Sequence, residues 1–222
     1  MKNIKTIYFG DSIMAFDKKP YKCANEYNYS TPNEICRGYP TLLNERLGLI
    51  DVGNFAVGGH KAKEQLEIVL KTDFKEADLF IMAVGVNDFG GGTPIGSIDD
   101  KKEDNTFFGA LNAILNYVFN SNPNIKVILM TPLHRNTLHR KEEFIRLASD
   151  SVYKGQTLYD FVSAIKAVGK KYNVTICDMF NESGLTMQNA KDYTFEGVHP
   201  HNKGYEFIIK PLIKAVKTTF NI

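Results

Sequence analysis

Short runs of apolar and β-branched residues recur along the chain, and each is followed by a polar or turn-forming residue. Such runs predict buried β-strands. The stretches between them have the apolar spacing of amphipathic helices. The last stretch has one apolar stripe, formed by Phe207, Ile208, Leu212, Ala215 and Val216. The predicted strands are Ile4–Phe9, Leu49–Asn54, Leu79–Val84, Lys126–Met130 and Val174–Asp178, and the predicted helices are Pro40–Leu47, Ala62–Thr72, Phe107–Asn120, Leu158–Tyr172 and Gly204–Phe220.

Strands that alternate with helices predict right-handed crossovers, a parallel sheet and helices on both of its faces. Ligands in such α/β folds bind beyond the carboxyl ends of the strands. Three irregular segments, Ala15–Tyr39, Phe89–Thr106 and Leu133–Thr157, leave strands at this edge. Long loops there commonly shape a binding site, and a surface excursion without a role is the alternative. No repeat or linker divides the chain, so we predict one domain over residues 1–222.

The composition is that of an ordinary globular protein with a sizeable core. Of its 222 residues, 43% are hydrophobic, and 15 Phe and 11 Tyr exclude a disordered chain. The 27 basic and 25 acidic side chains leave a net charge of only +2. We therefore expect neither nucleic acid nor an anionic membrane surface as a partner.

Three widely spaced cysteines bear on metal binding and on the compartment. Cys23, Cys36 and Cys177 form no C-x-x-C pair, so neither a disulfide framework nor a zinc site is predicted. A reduced cytosol fits this pattern, and a Cys23–Cys36 bridge stays open for an exported protein. The apolar run before Gly10 is too short for a signal peptide or a membrane span. We expect a cytoplasmic protein, with export of a longer precursor as the alternative.

Reactive side chains or adjacent glycines follow each of the first three predicted strands. Ser12 comes directly after the first strand, where a tight turn can expose its hydroxyl at the sheet edge. Gly58 and Gly59 follow the second strand and allow a backbone N–H to point into a cleft. Asn87 follows the third strand with a side-chain amide. Taken singly, a turn or a helix cap is the favoured explanation of Ser12 and of the two glycines, and Asn87 could form an Asx-turn.

Near the C-terminus an acid precedes a histidine by three residues. One turn of chain can bring the carboxylate of Glu196 and the imidazole of His199 together. A carboxylate in this position orients the ring and supports the imidazolium. Asp192 provides a second acid nearby.

Taken together and in this order, these segments resemble the SGNH (GDSL) hydrolase family. Ser12 matches the nucleophile block of that family, and Gly59 matches its glycine block. Asn87 matches the G-x-N-D block, and His199 the D-x-x-H-P block. The resemblance extends from Ile4 to the final predicted helix. It implies an α/β, flavodoxin-like three-layer α/β/α sandwich with a central, mainly five-stranded parallel sheet.

The resemblance also implies ester hydrolysis through an acyl-serine, with no cofactor or metal. Ser12 would attack the acyl carbon, and His199 would accept and return its proton. The backbone N–H groups of Ser12 and Gly59 and the amide of Asn87 would form the oxyanion hole. The loss of one such donor typically lowers turnover by about 10²–10³-fold.

One position departs from the family pattern. The family has aspartate where this chain has Glu196, whose side chain is one methylene longer. Three arrangements are open, in order of preference: Glu196 folds back to support His199, Asp192 takes its place, or the enzyme works as a dyad. Without an acid, turnover would fall by roughly 10⁴-fold.

Further polar residues lie near the same edge of the predicted sheet. His134 and Arg135 follow the fourth strand and are candidates for contact with a polar substrate, although a loop arginine is usually only solvated. Asp11 and Asp88 adjoin the proposed catalytic residues as further candidates for substrate binding, and we expect them to brace the loops by hydrogen bonds. His201 is interpreted as a solvated loop residue.

The leading interpretation is a serine esterase that cleaves small acyl groups from a small-molecule or carbohydrate ester, with acetyl on a carbohydrate as the favoured substrate. Analogy with the family and the polar insertions support the small acyl group, and the lack of a long apolar lid helix argues against a long-chain lipase. A lysophospholipase or thioesterase is the alternative among enzymes. Glu196 also motivates a catalytically impaired, glycan-binding relative. A nucleotide-binding protein is disfavoured because neither G-x-x-x-x-G-K-[ST] nor a strand-linked G-x-G-x-x-G occurs. The oligomeric state is not predicted.

Overall fold

A five-stranded parallel sheet forms the centre of the protein, which confirms the fold class expected from the sequence. The computed structural model describes residues 3–20, 34–136 and 148–222. The strands are β1 Lys5–Gly10, β2 Ile50–Asn54, β3 Leu79–Ala83, β4 Lys126–Met130 and β5 Thr175–Cys177. Across the sheet they lie in the order β2-β1-β3-β4-β5. The helices are α1 Ser12–Ala15, α2 Tyr39–Leu47, α3 Ala62–Val69, α4 Val86–Gly91, α5 Phe107–Ser121, α6 Leu158–Tyr172, α7 Met179–Glu182, α8 Ala190–Tyr193, α9 Asn202–Ile208 and α10 Lys210–Phe220, with a 3₁₀ turn at Lys102–Asp104.

Side chains alternate between two hydrophobic cores, one on each face of the sheet. In β3, Leu79 and Ile81 lie in the core formed with α2, α9 and α10. Phe80 and Met82 lie in the core formed with α3, α5 and α6. Because successive side chains of a strand point to opposite faces, this alternation produces three layers.

The carboxyl ends of β1 and β3 lie side by side, and Gly10 pairs with Ala83 at that edge. The strand order changes direction here, because β2 lies on one side of β1 and β3 on the other. Such a switch point opens a crevice for ligands beyond the strand ends. The segments that carry Ser12 and Asn87 leave the sheet at this crevice.

The prediction of one helix over Gly204–Phe220 is wrong, because two helices meet at Ile209. Pro211 stands in the first turn of α10. Proline has no N–H to donate to the preceding turn, and its ring clashes with a helical carbonyl four residues earlier. A helix therefore ends before it and a new one begins with it.

Parts of the predicted loops lie outside the described residues. Residues 21–33 fall in the segment Ala15–Tyr39, and residues 137–147 fall in Leu133–Thr157. The proposed Cys23–Cys36 bridge therefore lies outside the described residues as well. Across residues 3–20, 34–136 and 148–222, no helix is long and apolar enough to cross a membrane.

Candidate active site

A tight turn after β1 holds Ser12 at the start of α1. Gly10 has a φ of +153°, and a Cβ there would lie 2.5 Å from the carbonyl oxygen of Ala83. The turn therefore needs a glycine to pass so close to β3. Asp11 caps α1 by accepting a hydrogen bond from the N–H of Ile13 at 3.0 Å. The serine that follows is 9% exposed.

Ser12, His199 and Glu196 form a connected chain of polar contacts. The Oγ of Ser12 lies 2.7 Å from Nε2 of His199. On the other side of the ring, Nδ1 contacts Oε1 of Glu196. The same carboxylate oxygen accepts a hydrogen bond from the backbone N–H of His199 at 3.2 Å. Asp192 lies on α8 with an exposed side chain and makes no contact with the imidazole.

A closed turn brings the glutamate and the histidine together. The N–H of Phe195 donates to the carbonyl oxygen of His199 at 2.9 Å. Gly197 inside the turn has a φ of +89°, a conformation that favours glycine. Its N–H donates to Oγ1 of Thr194 at 2.9 Å. The longer side chain of Glu196 folds back within this turn to reach the ring.

The three expected oxyanion donors lie on the segments that follow β1, β2 and β3, at one edge of the sheet. Within the described part of the chain, neither the N–H of Ser12 nor that of Gly59 is donated to an acceptor. A Cβ at Gly58 would lie 3.7 Å from Cβ of Ser12, which places the glycine pair beside the serine. Nδ2 of Asn87 donates to the carbonyl oxygen of His60 at 3.0 Å. Among the described residues the second hydrogen of that amide has no acceptor, so it could be donated to a ligand.

Gln65 on α3 links Gly10, in the turn after β1, to His60, and sequence reasoning did not identify it. This fully buried side chain accepts a hydrogen bond from the N–H of Gly10 at 3.1 Å. Its Nε2 lies 3.2 Å from Nδ1 of His60. The signal in the sequence was one polar residue on the buried face of α3, beside Leu66 and Val69. A polar residue in an apolar stripe needs a hydrogen-bonding partner when it is buried.

Asp88 and Asp11 point into the protein, which corrects the prediction that they bind substrate. Asp88 is 0% exposed, and its two carboxylate oxygens lie 3.1 and 3.2 Å from the N–H of Ala62. Asp11 is also buried and is used as the cap of α1. Both carboxylates therefore hold backbone segments in place.

Asp88→Asn is expected to stabilise the protein increasingly as the pH rises from about 4 to about 7. Burial raises the pKa of Asp88 to about 7. The folded state therefore keeps a proton that the unfolded state loses above about pH 4, so the wild type loses stability across this window, on the order of 1 kcal/mol per pH unit. Unfolding free energies at about pH 5 and about pH 8 measure the effect.

The control is Asp150→Asn, which changes an exposed aspartate and should leave the pH dependence unaltered. A free-energy difference between Asp88→Asn and the wild type that is the same at both pH values would contradict the explanation by burial.

The residues after β4 are more buried than expected for a loop. The alternative that Arg135 is only solvated is wrong, because the residue is 6% exposed. His134 packs against Phe180 with ring centroids 3.8 Å apart, and burial lowers the pKa of this histidine.

The prediction that His201 is a solvated loop residue is also wrong, because its ring accepts a hydrogen bond from the N–H of Gly204 at the start of α9.

No group of three or more His, Cys, Asp or Glu side chains that could hold a metal ion occurs in residues 3–20, 34–136 and 148–222.

The chemistry that the contact between Ser12 and His199 supports directly is nucleophilic attack by a serine hydroxyl. The adjacent histidine can take the proton of that hydroxyl, since Nε2 lies within hydrogen-bond reach of Oγ.

Comparisons with solved structures agree with the fold. A possible lipase from Chitinophaga pinensis has a TM-score of 0.78 and 21% identity, covering 98% of this chain and 99% of that one. A protein from Lactobacillus plantarum has a TM-score of 0.76 and 19% identity, covering 98% of both chains. A variant of an acetyl xylan esterase from Geobacillus stearothermophilus has a TM-score of 0.59 and 18% identity, covering 96% of this chain and 94% of that one.

The sequence matches one family model over most of its length. That model describes the GDSL-like lipase/acylhydrolase family and covers residues 8–207, from β1 to α9. No curated protein matches the chain at a significant level. The matched region includes all four segments whose motifs first suggested the resemblance. On the family match, this chain belongs to the GDSL-like lipase/acylhydrolase family.

Proposed function

We propose that this protein is a serine esterase that hydrolyses small acyl esters through an acyl-Ser12 intermediate. The observation that carries the proposal is the 2.7 Å contact between Oγ of Ser12 and Nε2 of His199, continued by Glu196 on the other ring nitrogen. A hydroxyl next to a histidine that is itself oriented by a buried carboxylate is the arrangement that activates a serine nucleophile.

In the mechanism that we propose, each side chain has a role in acylation. Glu196 accepts a hydrogen bond from the Nδ1–H of His199, which keeps that proton on Nδ1 and leaves Nε2 unprotonated and facing the hydroxyl. As Oγ of Ser12 forms a bond to the acyl carbon, its proton moves to Nε2. The carbonyl oxygen becomes an oxyanion, and the bond to the leaving alkoxide breaks when the C=O bond re-forms. The imidazolium then protonates that alkoxide, and an alcohol departs.

Deacylation repeats these steps with water as the nucleophile. His199 takes a proton from the water that attacks the acyl-enzyme. The second tetrahedral intermediate collapses, Oγ of Ser12 leaves, and the proton returns to it. The products are the free acid and the regenerated serine. Glu196 stays ionised throughout and stabilises the imidazolium in both halves of the cycle.

Asn87→Ala is expected to lower kcat for an acetyl ester by about 10²–10³-fold with a smaller change in KM, because an oxyanion donor acts mainly in the transition state. Steady-state kinetics with 4-nitrophenyl acetate measure both constants. Asn44→Ala is the matched control, because Asn44 donates to the carbonyl oxygen of Leu49, at the opposite end of β2 from the site. An increase in KM with kcat unchanged would contradict the oxyanion role.

Acetyl on a carbohydrate is the substrate that we propose within this class. The fold neighbour described as an acetyl xylan esterase and the polar loops at the crevice support it. Hydrolysis of 4-nitrophenyl acetate, butyrate and octanoate tests the acyl size, and kcat/KM should fall with chain length. Preference for octanoate would favour a lysophospholipase or thioesterase. Oligosaccharide binding without hydrolysis would favour a catalytically impaired relative.

A further inference from the structure

Arg135 carries a buried positive charge. The residue is 6% exposed, and its Nε is buried without a hydrogen-bond partner. Within the described residues, no carboxylate forms an ion pair with its guanidinium. Burial lowers its pKa to about 10, so the group still carries its charge at neutral pH. A buried charged donor without an acceptor is costly, and it therefore indicates that a ligand supplies one.

The guanidinium lies among the three segments that build the candidate site. It interacts electrostatically with Glu196 and with Asp11, the neighbour of Ser12. Its Nη1 faces α4, the helix that carries Asn87, because a Cβ at Gly90 would lie 3.7 Å from that nitrogen. The guanidinium therefore lies close to residues that flank the proposed ester site, and its Nε has no acceptor among the described residues.

The backbone on either side of this arginine is held firmly. Its N–H donates to Oγ of Ser149 at 2.8 Å, and its carbonyl oxygen accepts from the N–H of Ser149 at 3.1 Å. The N–H of Asn136 donates to the carbonyl oxygen of Gly197 at 2.8 Å, inside the turn that joins the glutamate to the histidine. A donor group fixed in this way loses little conformational entropy when it binds a ligand.

We infer that Arg135 is a specificity-determining residue that binds a carboxylate of the ester substrate beside the scissile bond. The planar guanidinium fork matches a carboxylate with two parallel hydrogen bonds. The two nearby protein carboxylates already have other partners, since Asp11 caps α1 and Glu196 contacts His199. The inference rests on the proposed function, because it concerns the ester that Ser12 attacks.

Two pairs of esters test which side of the scissile bond carries the charge. Mono-4-nitrophenyl succinate places a carboxylate on the acyl group, and 3-carboxy-4-nitrophenyl acetate places it on the leaving group. Each is compared with its uncharged amide analogue. We expect the wild type to prefer the anionic member of one pair by about 10-fold or more in kcat/KM. Absence of preference in both pairs would overturn the inference.

Variants separate substrate binding from a structural role. Arg135→Met should lower kcat/KM for the preferred anionic ester by about 10–100-fold and leave the neutral analogue within about 3-fold. Arg135→Lys should retain part of the preference. Arg46→Met, which changes an exposed arginine paired with Glu206, is the control. Equal losses on both esters would show that Arg135 supports only the fold or the triad, and would overturn the inference.

The wild-type comparison decides the question even if Arg135→Met does not fold. Hydrolysis of neutral esters without any preference for the anionic ones would leave the proposed function standing and overturn the anion site. Absence of hydrolysis of every ester would overturn both.

Discussion

Ser12→Ala is expected to lower kcat/KM for 4-nitrophenyl acetate by about 10⁴–10⁶-fold. The substitution removes the hydroxyl that we propose as the nucleophile, while Asp11 still caps α1 and Gly10 still makes the turn. The fold should therefore be retained, which circular dichroism and thermal unfolding check. Residual turnover would come from the oxyanion donors and from substrate binding.

The matched control for this variant is Ser163→Ala. Ser163 is exposed on α6 and donates to the carbonyl oxygen of Tyr159. Its replacement should leave kcat/KM unchanged. If Ser12→Ala kept wild-type activity, the hydrolysis would have to proceed through another group, and the proposed mechanism would be wrong.

Glu196→Gln is expected to lower kcat by about 10³–10⁴-fold, approaching the effect of neutralising a triad aspartate. The carboxylate contacts Nδ1 of His199 from a site that is 1% exposed. An amide there is neutral, and it no longer favours the tautomer that leaves Nε2 free to accept a proton. It also loses the attraction that stabilises the imidazolium formed in the transition state.

Asp192→Asn is the matched control, because it changes the second candidate acid on an exposed helix. Its kcat should equal that of the wild type. The reverse result, with activity lost in Asp192→Asn and kept in Glu196→Gln, would identify Asp192 as the acid. Full activity in both variants would indicate a Ser-His dyad. Steady-state kinetics on the four proteins, including Glu196→Asp, separate these outcomes.

Much of the fold could be predicted because the three central strands, β1, β3 and β4, are buried on both faces. A strand of that kind gives a continuous apolar run, and for this reason β4 begins and ends where the sequence placed it, at Lys126 and Met130. The helix α6 was also predicted with its bounds, since Thr157 starts it and Asn173 ends it in a left-handed conformation. The break at Ile209 was missed although Pro211 signals it, because the apolar stripe continues across the break.

The candidate site was less predictable where it depends on contacts between distant segments. The spacing of Glu196 and Asp192 before His199 left the identity of the acid open, and the closed turn around Gly197 shows which one reaches the ring. Arg135 interacts electrostatically with Asp11 and Glu196 and lies near Gly90 of α4, and no local pattern reveals these neighbours. A local pattern gives the spacing of residues along one element, and it does not give their tertiary partners.

The covalent state of Ser12 during the reaction tests the central claim most directly. The protein would be incubated with a fluorophosphonate, digested, and mapped by mass spectrometry, with Ser12→Ala and His199→Ala treated in parallel. We expect a single adduct on Ser12 in the wild type, none in Ser12→Ala, and much slower labelling in His199→Ala. Ester hydrolysis by a wild-type protein that carries no adduct, or carries it on another residue, would contradict the assignment of Ser12 as the nucleophile.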